Sequence, residues 1–557
     1  NRFLAFLQEG KPWCVSRERI WGTPLPIWVC SEAECRQKIL ISSKKELLTK
    51  AKEVPEGHFE LHKPWVDQVV LECPECGGKM LREPFVLDTW HNSGAAPYAR
   101  FTDEEFDSYI PADFLVEAID QTRGWANTLL LEHVILTAKP ESPYKAFLFY
   151  GHVLDAKGRK MSKSVGNVLD ANETLEECSA DLFRFYILRK CAPIDSMSFD
   201  IKELNKRPYQ ILSTLLHLYR FFTQNAEYDH FNPKMHTLVS AKKNRTLTQP
   251  DQWLLSKLQT AVEGVTDRFE KCEFNLALSE LEEFVVNSLS HHYVPMVRPE
   301  LWSDDVSTHS RRLTIYATLW TVLKTLTLLF NPITPFLSEA MHLHANKIFE
   351  GKHPKSINFE NWPTPNPTLK NPDLERDFEA LFKYVSLTYS ARQALKLKRR
   401  WPLEKAVLAG PKEAKEAVKR LEPRFLERAN VKTVEYLSDS EILKLETGHI
   451  ASEENLSVFM DSFRDNNLVG EGFMRDLARR VQALRKQLGF SPTEILESVH
   501  LTQLDPEAVR LLSPHLEKML ELVRAREIDL QAAKKNLRVD WQEFEVDGKT
   551  VFVAISR

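Results

Sequence analysis

Apolar and polar positions give the 557-residue chain two textures, with a change near residue 200. From 81 to about 200, short apolar runs alternate with helical patterns: FLVEAI at 114–119, GWANTLLLEHVIL at 124–136, FLFYGHVL at 147–154 and DLFRFYILRK at 181–190. Such alternation predicts βα units around a parallel sheet, with ligands at the carboxyl ends of the strands. PLPIWVC at 24–30 adds a short strand. After residue 200 the apolar period becomes helical: Leu255, Leu258, Val262, Val265 and Phe269 recur together, as do Leu276, Leu281, Phe284 and Val285. RRLTIYATLWTVLKTLTLLF (311–330) is another long helix, stopped by the prolines of NPITPF.

The Pro-rich stretch NWPTPNPTLKNPD (361–373) reads as a linker, and the pattern beyond it is mixed. GFMRDLARRVQALRKQLG (472–489) is an amphipathic helix with Phe473, Leu477, Val481, Leu484 and Leu488 inward. Its other faces carry Arg475, Arg479, Arg480, Arg485 and Lys486. The chain closes on a hairpin expected around Asp547-Gly548. No internal repeat and no low-complexity tract is visible. The expected fold class is α/β plus all-α. An α/β core takes residues 1–28 and 81–204, with a cysteine-punctuated insert at 29–80. A helical bundle follows at 205–360, and a mixed α/β region at 374–557.

Composition refines this picture. The length exceeds a single core, and the apolar and charged fractions, 43% and 27%, are those of an ordinary globular protein. No window approaches the ~20 apolar residues of a membrane span, and no signal peptide opens the chain, so no membrane partner is expected. A formal charge of −4 leaves any nucleic-acid contact to local basic patches. The start, NRFLAFLQEGKPWCVSRER, reads as mid-domain sequence, which predicts a piece of something longer.

Two of the cysteine spacings carry chemistry. Cys30 and Cys35 form C-x4-C, and Cys73 and Cys76 form C-x2-C followed by Gly77-Gly78. Two close pairs on tight turns supply the four thiolates of a closed, structural Zn2+ site; four reduced cysteines without metal are the bland alternative. Cys14, Cys178, Cys191 and Cys272 are scattered, as in a reducing, intracellular protein rather than a disulfide scaffold.

KGRKMSKSVGN at 157–167 places Lys157, Arg159, Lys160 and Lys163 on a loop punctuated by Gly158 and Gly166, just after an apolar strand. A solvated turn is one reading. A mobile clamp that neutralises charge developing on a polyphosphate is the other. No G-x-x-x-x-G-K-[ST] pattern is present, so a P-loop is not the source of any phosphate site.

Lys160-Met161-Ser162-Lys163-Ser164 resembles the KMSKS signature of class I aminoacyl-tRNA synthetases. VEAIDQTRGW (116–125), WCVSRERIWGTPLPIW and VLDTWHNSGA resemble segments of the isoleucyl branch, in the same order. The resemblance implies the second half of a Rossmann-type catalytic core with a zinc-ribbon insert, then a helical anticodon-binding domain and a tRNA-contacting C-terminal region. It implies ATP-dependent attachment of L-isoleucine to tRNA(Ile) through isoleucyl-adenylate, with Mg2+, in the cytoplasm, by an enzyme monomeric when full-length. Lys160 and Lys163 would act on the ATP phosphates, with Met161, Ser162 and Ser164 in the same loop and Gly151 and His152 beside the adenine. Glu117, Asp120 and Gln121 would line the adenylate, and Trp90 and Trp125 would wall the isoleucine pocket. For tRNA phosphates the basic segment Lys396, Lys398, Arg399 and Arg400 and the helix residue Arg479 are the candidates.

The resemblance is incomplete. No H-x-G-H motif and no editing domain occurs, so a C-terminal portion, inactive alone, is expected. Ala118 stands where glycine is usual, and His91-Asn92 where an aromatic residue and Asp are usual. In LSHHYVPMVRPELW only Tyr293, Arg298 and Trp302 persist, while Pro295, Val297 and Pro299 remove charge. A valyl or leucyl enzyme and a non-catalytic tRNA-binding paralogue are the alternatives. The undivided KMSKSVGN and the D-Q-T-R-G-W segment weigh against both.

Overall fold

The runs predicted as neighbouring strands do pair in parallel in the computed structural model, which describes residues 2–302, 306–349, 354–490, 494–532, 540–546 and 548–556. Strand Ala112–Ala118 lies beside Tyr144–Tyr150, with Ala112 opposite Tyr144 and Ala118 opposite Tyr150. Helix Trp125–Thr137 makes the crossover. A shorter parallel contact joins Val153–Leu154 to Met197–Ser198. Parallel strands are normally buried on both faces. Here Phe114, Val116 and Tyr150 remain 48%, 45% and 44% exposed. The chain divides into two compact units, Asn1–Asn205 with Arg268–Leu276, and Lys206–Asp267 with Ala277–Arg557.

The cysteine-punctuated insert is a five-stranded antiparallel sheet, ordered Lys38–Leu40, Ile27–Cys30, Lys79–Arg82, Val70–Glu72, Ala51–Glu53. Trp28, Ile41, Leu47, Val66, Val69, Leu71 and Met80 form its core. The Trp28 indole N–H donates to the Val69 carbonyl at 2.9 Å, so the largest side chain of that core leaves no polar atom unpaired.

The helical pattern after residue 200 becomes helices Arg207–Tyr228, Gln249–Glu270, Phe274–Glu283, His309–Phe330 and Pro335–Ile348. Leu255, Leu258, Val262, Val265, Leu281, Phe284 and Val285 are buried as the spacing requires. Leu276 is 41% exposed instead, because Ala277 and Leu278 take the inward positions of its turn. The stretch Val306–Phe330 corrects the membrane reading in part: its mean hydropathy of 1.5 meets the measure of a span, yet 67% of that window is buried within the protein, as in a core helix.

LSHHYVPMVRPELW falls on a wide turn. Residues Phe284–Tyr293 form a π-helix, and the Val294 N–H reaches back to the Leu289 carbonyl. The next residue, Pro295, has no N–H to give His291 and would crowd that carbonyl in a regular helix. The Arg428 guanidinium donates to the His291 carbonyl at 3.1 Å instead.

The stretch expected to be a free linker is strapped down. Trp362 Nε1 donates to Thr266 Oγ1 at 2.9 Å, the Asn366 N–H to Gln259 Oε1 at 2.8 Å and the Asn371 N–H to Ser256 Oγ at 2.7 Å. Two backbone donors and one indole thus find side chains along one helix, while the Thr368, Leu369 and Lys370 N–H groups close a local turn on Asn366 and Pro367.

The final region is a duplication that the sequence did not disclose. Helix Pro372–Ala394 precedes strand Leu403–Ala409, helices Lys412–Arg420 and Glu422–Ala429, strand Val431–Tyr436 and the hairpin Gly448–Glu453 with Leu456–Asp461. Helix Asn466–Gln487 precedes strand Leu496–Thr502, helices Pro506–Leu512 and Leu516–Val523, strand Ala525–Asp529 and the pair Gln542–Val546 with Lys549–Ser556. In both four-stranded sheets the second strand lies parallel to the first on one side, and the last strand lies antiparallel on the other. The closing strands pair Val546 with Lys549; Asp547, at the expected turn, lies outside the described residues.

A buried arginine occupies the same place in each half. Arg392, 1% exposed, donates to the carbonyls of Trp401, Ala429 and Asn430 at 2.8, 2.9 and 2.8 Å. Arg485, 2% exposed, donates to the carbonyls of Glu494, Val523 and Arg524. Both thereby tie together the two chain segments that lead into the parallel strands. This corrects the expected outward face of helix 472–489: Arg485 points inward, whereas Leu488, expected inward, is 43% exposed.

Candidate active site

The carboxyl edge of the parallel pair collects the residues singled out for an adenylate. Glu117 lies opposite Phe149, one residue before the first strand ends, and the chain turns through Ile119–Arg123 into helix Trp125–Thr137. Gln121 organises that turn: its Oε1 accepts the Trp125 N–H at 3.1 Å and its Nε2 donates to Asp120 Oδ2 at 3.0 Å. Asp120 itself is exposed. Trp90, on the short helix Thr89–Gly94, lays its indole against Gly124: a Cβ there would sit 3.0 Å from Trp90 Cη2 and 2.4 Å from Gln121 Oε1. Trp125 Nε1 donates to the Ser93 carbonyl at 3.0 Å and the ring meets Phe147 edge-on. Trp90, Gln121 and Trp125 therefore form one cluster around Gly124, where any added side chain would displace the Gln121 amide and press on the Trp90 ring.

The second strand ends at the same edge in Gly151 and His152. A Cβ on Gly151 would lie 2.2 Å from the Asp195 carbonyl oxygen, so this contact also requires glycine. The His152 N–H donates to Ser196 Oγ at 3.3 Å, and His152 is exposed.

The basic loop that follows is built from inside by two residues the sequence reading passed over. Asp155, 8% exposed, accepts from the Lys157 and Arg159 N–H groups at 2.9 and 2.8 Å, from Arg159 Nε at 2.9 Å and from Asn167 Nδ2 at 3.0 Å. The Asn167 amide, the backbone N–H groups and the Arg159 guanidinium hold the Asp155 carboxyl well below the usual carboxylate range. Asn167 also donates to the Lys160 carbonyl at 3.1 Å and accepts the Ser162 N–H at 2.9 Å. Ser162 Oγ and Ser164 Oγ lie 2.9 Å apart, and Met161 is half-buried. Gly158 and Gly166, at φ of +75° and +69°, make the turns that only glycine adopts freely. With the loop's own polar groups satisfied internally, the side chains of Lys160 and Lys163 stay exposed, with no ion pair among the described residues. A fixed backbone carrying uncompensated ammonium groups is what an incoming polyanion requires.

The four paired cysteines converge. Their sulfurs all lie within 4.8 Å of one another, with Cys30 and Cys76 at 3.5 Å and Cys35 and Cys73 at 3.6 Å. Tetrahedral zinc–thiolate bonds of about 2.3 Å would place sulfurs roughly 3.8 Å apart, so the donor set fits that ion. Gly78 makes the approach possible, since a Cβ there would lie 3.3 and 3.4 Å from the Cys76 and Cys30 sulfurs. The thiols are not equivalent. A backbone N–H at Glu32 favours the Cys30 thiolate, but burial and the neighbouring thiols push it up. Cys73, although buried, is pulled down by the N–H groups of Cys76 and Glu75. Among the described residues no other group of three or more Cys, His, Asp or Glu donors converges in this way.

Lys398, Arg399, Arg400 and Arg479 line one cleft of about 410 Å³, together with Arg480, which the sequence reading left out, and with the carboxylates of Asp476 and Glu545. Lys396 lies at the end of helix Pro372–Ala394, outside that lining. Lys398 is partly spent on Asp476, at 3.2 Å. Arg399 stacks over Tyr389 at 4.1 Å and Arg480 over Phe544 at 5.6 Å, which orients the guanidinium groups without neutralising them.

The family described as "tRNA synthetases class I (I, L, M and V)" matches residues 1–200, and the "Anticodon-binding domain of tRNA ligase" matches residues 251–407. The chain belongs to the class I tRNA synthetases. Among the relatives it matches are proteins named isoleucine–tRNA ligase. That of Methanopyrus kandleri is 32% identical over 637 residues, spanning 100% of this chain and 58% of the relative. That of Clostridium tetani is 36% identical over 415 residues, 73% of this chain and 39% of the relative. The chain thus spans little more than half the length of such relatives at most. A solved LeuRS–tRNA–LeuAMS ternary complex from Agrobacterium radiobacter K84 shares 21% identity with a TM-score of 0.48, over 66% of this chain and 46% of that one.

Proposed function

We propose that this chain is the part of an isoleucine–tRNA ligase that holds the ATP phosphates, the aminoacyl-adenylate and the tRNA. The observation that carries the reading is the basic loop 157–167: internally satisfied through Asp155 and Asn167, it presents Lys160 and Lys163 unpaired beside the strand edge that gathers Gln121, Trp90 and Trp125. In this reading isoleucine's carboxylate attacks the α-phosphate of ATP, the bond to pyrophosphate breaks, and Lys163 with Lys160 carries the charge that grows on the departing pyrophosphate. Trp90 and Trp125 wall the side chain, while Glu117, Asp120 and Gln121 face the ammonium and ribose, with Gly151 and His152 beside the adenine. The 2′- or 3′-hydroxyl of tRNA(Ile) then displaces AMP.

The four cysteines would hold a structural zinc that closes the insert over residues 29–80 and supplies no chemistry to the reaction. Residues 205–360 would read the anticodon stem, and the cleft of Lys398, Arg399, Arg400 and Arg479 would take tRNA phosphates; both assignments rest on charge and on the anticodon-domain match. The exposed Phe114, Val116 and Tyr150 would be covered by the other half of the nucleotide fold, carried outside these residues. ATP–pyrophosphate exchange tests the proposal. The chain alone gives none; supplied with the half that carries H-x-G-H, it exchanges in an isoleucine-dependent manner, and Lys163→Ala lowers the rate about 10²-fold. Exchange by the isolated chain, or indifference to Lys163, overturns it.

A further inference from the structure

We propose that His91 and Glu132 are positioning residues that set the spacing of Trp90 and Trp125, and through it the side-chain selectivity of the amino-acid pocket. The inference rests on the assignment of those two tryptophans to that pocket. Helix Thr89–Gly94 carries Trp90 and His91, and helix Trp125–Thr137 carries Trp125 and Glu132. The helices are tied at three points. Trp125 Nε1 donates to the Ser93 carbonyl at 3.0 Å and Trp90 rests on Gly124. Further along the second helix, His91 Nδ1 lies 3.1 Å from Glu132 Oε1.

Glu132 is not a surface carboxylate. Its side chain is 6% exposed, and its second oxygen, Oε2, has no hydrogen-bond partner among the described residues. Gly94 runs directly against it: a Cβ there would sit 2.8 Å from both Cδ and Oε1. A buried carboxylate with one neighbour and no water-facing edge keeps that neighbour close, because releasing His91 leaves both oxygens unpaired. His91 is the departure from the family's aromatic residue, so this tie is one the motif alone does not supply. Trp13, 6.5 Å from the His91 ring, backs it and donates to Asp88 Oδ2 at 2.8 Å, just before the Trp90 helix. The Trp90 helix is thus held at its start by Asp88 and along one face by Glu132. Losing the Glu132 tie lets it rotate about the Asp88 end and moves Trp90 relative to Trp125. An apolar pocket separates substrates differing by one methylene by roughly 10–200-fold, so small changes in wall spacing are legible in binding.

The test measures affinity of the full chain, by tryptophan fluorescence, for three probes: isoleucyl-sulfamoyl-adenosine, valyl-sulfamoyl-adenosine and sulfamoyl-adenosine without an amino acid. Glu132→Leu is expected to weaken the isoleucyl probe about tenfold and to narrow its margin over the valyl probe, with sulfamoyl-adenosine unchanged. Glu132→Gln, which keeps an acceptor for His91, is expected within about threefold of the parent. Equal loss of all three probes, or an isoleucyl-to-valyl ratio unchanged in Glu132→Leu, overturns the proposal. A parent chain that binds the aminoacylated probes no better than sulfamoyl-adenosine removes the pocket assignment itself, and this inference with it.

Discussion

Arg392→Met removes a guanidinium without emptying its space, and the structure sets the scale of the loss. Among the described residues Arg392 makes no ion pair; burial pulls it down to about 10, and its hydrogen bonds go to carbonyls. Three of these contacts, at 2.8, 2.9 and 2.8 Å, are short enough for charge-assisted hydrogen bonds. At about 1.5–3 kcal/mol each they total some 4–9 kcal/mol. Relief of the buried charge returns several kcal/mol, and the Trp401, Ala429 and Asn430 carbonyls are left with fewer donors. The net expectation is a loss of about 3–5 kcal/mol. Hydrogen exchange is the assay, read at the amides of Leu403–Ala409 and Val431–Tyr436, the strands whose entries Arg392 ties. Their protection should fall by about two to four powers of ten, while the amides of Leu496–Thr502, tied by Arg485, keep theirs. Protection within tenfold of the parent in the first sheet, or an equal fall in both sheets, refutes the reasoning.

Cys73→Ser should lower bound zinc from about one ion per chain toward zero and open residues 29–80 to proteolysis, while the helical unit keeps its unfolding transition. Changing Arg399, Arg400 and Arg479 together to Gln should weaken tRNA binding and reduce the slope of log affinity against log salt by about 2–3; an unchanged slope removes them from the interface. His292, stacked on Phe382 at 3.7 Å, is pushed down to about 4 by burial, with the Arg428 and His291 charges adding to the effect. Between pH 6.5 and 4 the unfolded chain therefore binds the proton that the folded chain refuses. Stability contributed above 6.5 is lost as pH falls, by about 3 kcal/mol in all. His292→Phe should flatten this limb in denaturant titrations at successive pH values, and an unaltered pH dependence would show that His292 titrates normally.

The candidate site was legible where spacing along the chain is itself the constraint. Two cysteines three or five positions apart on a turn, or lysines three apart on a glycine-hinged loop, lie close for reasons of backbone geometry, so Cys30, Cys35, Cys73, Cys76, Lys160 and Lys163 could be named in advance. Asp155 and Asn167 escaped because an Asp and an Asn twelve positions apart look like solvated turn residues until the loop closes and faces them inward. Arg485 was misplaced for a related reason. Helical periodicity assigns arginine to the polar face, and only neighbouring carbonyls can make the buried face acceptable.

By itself, then, the sequence determined the alternation of strands and helices, the register of most buried positions and the local clusters of chemistry, all of which depend on neighbours within a few residues. Tertiary structure alone decided what distant segments do to one another. It turned a proline-rich linker into a strap along helix Gln249–Glu270, and it paired His91 with Glu132. It also revealed that residues 372–461 and 466–556 repeat one fold while sharing little more than a buried arginine and an apolar pattern. Sheets and helices pack by shape and polarity rather than by residue identity. Many sequences therefore satisfy one arrangement, and the arrangement is read only from the contacts it makes.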